Sequence, residues 1–88
     1  MKIKEGFVLR EVMGNFVAVA VGEASRSFRG MVKLNSTAAD IWQGIERGLS
    51  ESEICSAICE KYEVEESVAS ADVSRTIEML EKHGFLEI

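Results

Sequence analysis

Residues 30–42, GMVKLNSTAADIW, run a short apolar strand straight into a helix. By the two-residue period of a strand, Val32 and Leu34 point to one side, and Arg29, Met31 and Lys33 to the other. Asn35 or Ser36 then stands at the N-cap position, where a short polar side chain accepts from an orphan backbone N–H. Ala38, Ile41, Trp42 and Ile45 follow at i, i+3, i+4 and i+7, which makes one apolar stripe of a helix that Gly48 ends.

Upstream, FVLREVM, GN and FVAVAV read as a β-hairpin with Gly14-Asn15 as a two-residue turn. That loop sets Met13 opposite Phe16, Val12 opposite Val17 and Val8 opposite Val21. One face of the hairpin then carries Val8, Val12, Val17, Val19 and Val21, interrupted by Arg10. The other carries Phe7, Leu9, Met13, Phe16, Ala18 and Ala20, interrupted by Glu11. One face must pack on helices, and the other leaves an apolar patch for a second copy, so a homodimer is an open option. An eight-residue connection, GEASRSFR, leads on to the third strand, read as Gly30–Leu34.

Downstream, Ser50 with Glu53 three residues later is a capping box opening a second helix. Its apolar face is Ile54, Cys55, Ile58, Cys59 and Tyr62. A third helix runs from about Glu66 to His83, with Gly84 in the position that favours a left-handed glycine. Ala69, Val73, Ile77 and Leu80 form its core stripe, and the tail FLEI reads as a docked end. The elements predict an α+β domain of winged-helix-like shape, a three-stranded antiparallel sheet followed by three helices (βββααα). Its 88 residues make a single domain, 1–88.

Composition narrows the function. No stretch has the length of a transmembrane helix or the layout of a signal peptide, so a cytoplasmic protein with no membrane partner is expected. Cys55 and Cys59 lack the further ligands of a zinc site, and on one apolar helix face they read as core residues. His83 falls in the last turn of its helix, where the dipole favours a cation, and Trp42 reads as a core anchor. The sequence contains no glycine-rich phosphate loop, metalloprotease pair or nucleophile elbow, so neither an enzyme nor a cofactor is expected.

Charge separates two uses of such a fold. The net charge is −5, but residues 1–35 hold six basic and three acidic side chains, +3, while residues 36–88 hold four basic and twelve acidic, −8. A DNA-binding regulator is the alternative reading, yet a recognition helix in the acidic half would repel phosphates, so no nucleic-acid partner is expected. A third strand at the sheet edge suits peptide addition better, because its unpaired N–H and C=O groups can extend the sheet. Arg29, Met31 and Lys33 make that edge basic. Val68, Asp72, Arg75, Met79 and His83 fall on one flank of the third helix, a candidate facing wall.

The pieces GFVLREV, FVAVAVGEASRSFRGMVKLNSTAADIW and the helical remainder resemble the PqqD family along essentially the whole chain. Leu34-Asn35, Thr37-Ala38, Ile41-Trp42, Tyr62-Glu63-Val64, Ala71-Asp72-Val73 and Gly84-Phe85-Leu86 carry the likeness in order and spacing. The resemblance implies a recognition element of ribosomally made, post-translationally modified peptide pathways. Such an element binds a precursor's leader segment as an added strand and presents it to a modifying enzyme, often a radical SAM protein. Pyrroloquinoline quinone (PQQ) biosynthesis is the namesake setting. Carried onto this chain, it places the strand contribution at Met31, Val32, Lys33 and Leu34, and the helix wall at Asp72, Arg75, Thr76 and Met79. If the strand is added there, a proline at Val32 is expected to remove an edge N–H.

Overall fold

The computed structural model describes residues 1–28 and 30–87. Five strands and four helices follow in the order β1 (Lys2–Ile3), β2 (Phe7–Val12), β3 (Asn15–Ala20), α1 (Ala24–Ser27), β4 (Met31–Leu34), α2 (Ser36–Glu46), α3 (Glu51–Tyr62), α4 (Glu66–Lys82) and β5 (Leu86–Glu87). The strands β2-β3-β4 form an antiparallel sheet in that spatial order, and α2, α3 and α4 are the three expected helices. Two features exceed the expectation. One turn of helix, α1, occupies the connection before β4, and β1 pairs antiparallel with β5 as a separate ribbon. Among the described residues, no helix is long and apolar enough to cross a membrane.

The hairpin turn is Met13-Gly14, not Gly14-Asn15. Both residues have positive φ, 52° and 81°, as a primed two-residue turn requires. Val12 therefore faces Asn15, Arg10 faces Val17 and Val8 faces Val19. The change slides one strand by two residues, so each side chain keeps its face while its partner changes. The observed register sets Phe7 against Ala20 and Leu9 against Ala18, large against small. It also sends Glu11 opposite Phe16, towards the exposed tip and away from fully buried Ala18.

The face bearing Phe7, Leu9, Phe16, Ala18, Val32 and Leu34 packs on the helices. Trp42, Ile41, Ile45, Ile54, Val73, Leu80 and Phe85 lie at its centre, each at most 2% exposed. On the outer face, Val17 is buried, with Arg10 and Lys33 as its cross-strand neighbours. Gly44 allows α2 to meet α3 closely, since a Cβ there would stand 3.0 Å from Ile54.

The helix ends follow the local signals. Asn35 is the N-cap of α2, its Oδ1 accepting from Ala38 N–H at 2.8 Å. Ser50 and Glu53 close both bonds of the capping box, at 3.1 and 2.8 Å. At the end of α4, Gly84 N–H donates to the Glu81 carbonyl and Phe85 N–H to that of Leu80. This left-handed turn at Gly84 (φ 79°) drops Phe85 onto Leu80 and into the core. There Phe85 meets the rings of Phe7, Phe28 and Trp42 at centroid distances of 5.0–5.5 Å. The tail is thus docked through Phe85 and the β1–β5 ribbon; Ile88 lies outside the described residues.

Cys55 and Cys59 lie at the margin of the core and not inside it: both are half-buried, and both are free thiols. Burial comes first among the causes that raise the Cys55 pKa above 9.0, followed by the neighbouring Cys59 and by Glu66 and Glu51. Asp40 ties α2 to α3 by accepting from Lys61 Nζ at 2.9–3.0 Å and from the Tyr62 hydroxyl. The Asp40 contact raises the Lys61 pKa above 10.5.

Candidate functional site

The register determines which backbone groups of β4 are free. Val21 N–H donates to the Gly6 carbonyl at 2.7 Å, which continues the β2–β3 ladder and fixes its alternation. Asn15, Val17 and Val19 thus direct their backbone groups to β2, and Phe16 and Ala18 direct theirs to β4. On β4, Leu34 and Val32 answer Phe16 and Ala18. Met31 and Lys33 turn their N–H and C=O groups away from the sheet, along an edge where, among the described residues, β4 has no neighbouring strand. Proline at Val32 would therefore break the sheet's own bond to Ala18. The free edge donors belong to Met31 and Lys33.

Beside this edge lies an open groove of about 350 Å³. Leu34 and Ala38, 3% and 4% exposed, form an apolar floor with Met79. Thr37, Thr76, Lys33, Asp72 and Arg75 also line it. Arg75 Nη2 lies 3.3 Å from Asp72 Oδ1 on the same helix flank. Among the described residues, Lys33 has no carboxylate partner.

Of the residues anticipated from sequence, the groove brings together Lys33, Leu34, Asp72, Arg75, Thr76 and Met79. Met31 contributes backbone to the edge, while its side chain stands 65% exposed on the outer face. Val32 turns inward against the core. Val68, 47% exposed, does not line the groove. His83 caps α4 instead, with Nδ1 2.9 Å from the Met79 carbonyl and its ring stacked on Phe85. Arg29 lies outside the described residues. Asn35 and Ala38 were missed as lining residues because capping and the helix stripe already accounted for them, and Thr37 because it was read only as part of the family likeness. Their signal was adjacency: a strand that runs into a helix with one intervening residue places that helix's first turn beside the strand's end.

This arrangement can hold an extended chain. Main-chain pairing would come from Met31 and Lys33, and alternate side chains of the added strand would drop towards Leu34, Ala38 and Met79. It is poorly made for a duplex. Both cations of α4 are engaged by carboxylates, Arg75 by Asp72 and Lys82 by Glu78 at 3.4 Å, which leaves α4 no free positive charge for phosphates. Two wider concavities lie elsewhere, about 670 Å³ between α3 and α4 and about 450 Å³ between α2 and α3. Neither adjoins an unpaired strand edge, so neither offers an extended peptide a backbone partner.

A family profile described as PqqD, coenzyme PQQ synthesis protein D, matches residues 17–86. Among solved structures, the chain is similar to TbiB1 in complex with the TbiA(beta) leader peptide, with a TM-score of 0.80 and 24% identity over 99% of this chain and 95% of that one. It is also similar to a lasso peptide synthetase B1 complexed with the leader peptide, with a TM-score of 0.77 and 21% identity over 96% and 93% of the two chains. At these identities the likenesses establish the fold. No curated protein matches the sequence significantly.

Proposed function

The chain belongs to the PqqD family, and from that membership we propose that it is a non-catalytic adaptor for the leader segment of a ribosomally made precursor peptide. The leader adds as a strand to β4, pairs with the backbone of Met31 and Lys33, and rests its alternate side chains between β4 and α4. One observation carries this reading: a sheet edge with unpaired backbone groups borders an apolar-floored groove whose far wall is Asp72, Arg75, Thr76 and Met79. The leader-peptide complexes of both structural neighbours support it. Bound in this way, the precursor's remaining chain is free to reach a modifying enzyme, for which a radical SAM protein is the family's frequent choice. Lys33 favours leaders with a carboxylate near that end of the groove.

Titration of nitrogen-15-labelled protein tests the proposal, using synthetic leader segments of precursor peptides encoded beside this chain. Amide shifts concentrated at residues 30–38 and 72–79 are expected. Shifts confined to other surfaces would refute strand addition. Duplex DNA is titrated in parallel, and salt-sensitive shifts along α4 would replace the adaptor by a DNA-binding regulator.

A further inference from the structure

The β4 edge offers an added strand side chains as well as backbone, and on the side away from the groove these form a pattern. The observed register aligns two rows across the outer face of the sheet: Val8, Val19 and Met31 in one, and Arg10, Val17 and Lys33 in the next. Both rows end at β4, where an added strand supplies the fourth member. The first row is apolar throughout, and at its open end Met31 is 65% exposed whereas Val8 and Val19 are half-buried. The second ends in Lys33, an exposed cation; among the described residues, neither Lys33 nor Arg10 pairs with a carboxylate. The two rows bring no Asp or Glu to this face. Side chains directly opposite on neighbouring strands stand about 4.5–5.5 Å apart at Cβ, close enough for apolar groups or opposite charges to pair and for like charges to repel. Arg10 lies two strands further back, about 14 Å from the added strand and beyond the screening length of about 8 Å at physiological salt.

We propose that Met31 and Lys33 read the outward side of the leader, a second specificity surface besides the groove. Resting on strand addition at β4, this readout specifies what is added: a carboxylate opposite Lys33 and a large apolar side chain opposite Met31, two residues apart on one side of the leader. The residue between them, opposite Val32, points the other way, towards Leu34, Ala38 and Met79, and is apolar too. In an antiparallel strand the order along the leader is acidic, apolar, apolar; in a parallel strand it is reversed. The apolar side chain covers Met31, and the carboxylate meets the free cation at the edge.

The test starts from a synthetic leader segment, encoded beside this chain, that shifts amides at residues 30–38 and 72–79. Each of its positions is replaced in turn by Glu, Lys, Leu and Ser, and affinities are measured by calorimetry. One position should prefer Glu to Lys by at least about 2-fold, an advantage that shrinks in high salt, and the position two residues away should prefer Leu to Ser. Lys33→Glu should invert the charge preference, and Met31→Ser should erase the apolar one. Arg10→Glu changes the net charge by the same amount and should leave the preference for Glu in place. In the wild type, Overhauser contacts from the Met31 methyl to that Leu side chain give a readout that needs no variant to fold. A flat charge scan, an inversion by Arg10→Glu as complete as that by Lys33→Glu, or no contact at Met31 would refute the readout while leaving strand addition standing. If no segment shifts those amides, strand addition fails and the readout with it.

Discussion

Lys33→Pro separates binding at the β4 edge from the stability of the sheet. In the free protein the Lys33 N–H points away from β3 and bonds to no strand, so its loss removes no sheet hydrogen bond. Val32 before it is already extended, which satisfies the restriction proline imposes on its predecessor, and edge strands tolerate proline. Its melting temperature should therefore stay near that of Lys33→Ala, the control for the lost side chain. Binding is different. An added strand that meets proline leaves one of its carbonyls unpaired in a partly desolvated edge, a loss of about 1–3 kcal/mol. That corresponds to roughly 5- to 150-fold weaker affinity. Val32→Pro should show the reverse order: it breaks the bond to fully buried Ala18 and costs stability first. Calorimetry with a leader segment, beside thermal melts, measures both quantities. A folded Lys33→Pro protein that binds as tightly as Lys33→Ala would refute the edge assignment and strand addition with it.

Three further outcomes follow from the packing and the caps. Ser50→Ala deletes the hydroxyl that accepts from Glu53 N–H and should cost about 1 kcal/mol, a fall of about 4–8 °C in melting temperature for a domain of this size. The Ser50 N–H holds the Glu53 carboxyl below its ordinary 4.5, so its contribution to stability is present above pH 4.5 and is lost as pH falls through the lower folded value. Glu53→Gln should therefore flatten that acid segment of the melting profile and leave alkaline melts parallel to the wild type. Phe85→Ala empties a fully buried site shared by four aromatic neighbours and should cost about 3–5 kcal/mol in urea unfolding; a loss under 1 kcal/mol would mean that the tail is not docked as described.

The sequence alone determined what depends on near neighbours in the chain. Asn35, Ser50 with Glu53, Gly48 and Gly84 mark helix ends by satisfying or releasing backbone groups within a few residues, and each stands where it was expected. Periods of two and 3.6 sorted side chains to faces, which is why the faces of β2 and β3 were right even though their register was off by two residues. Asp72, Arg75 and Met79 were legible as one flank of a helix for the same reason, while Thr76 came only with the family resemblance.

Tertiary structure decided what depends on residues far apart in the chain. Both Met13-Gly14 and Gly14-Asn15 can turn a hairpin, and the choice fell to large-against-small pairing on the core face and to Glu11's exposure. The β1–β5 ribbon joins residues 2–3 to 86–87, and pairs that short carry no periodicity to read. Only the alternation of bonds across three strands showed that Met31 and Lys33, and not Val32, hold the free edge donors. Only the packing of α4 beside the start of α2 turned Thr37 and Ala38 into lining of a groove. The half-exposed thiols arise in the same way: their helix stripe is wider than the surface α4 covers, so Ile54 and Ile58 are buried while Cys55 and Cys59 are left at its rim.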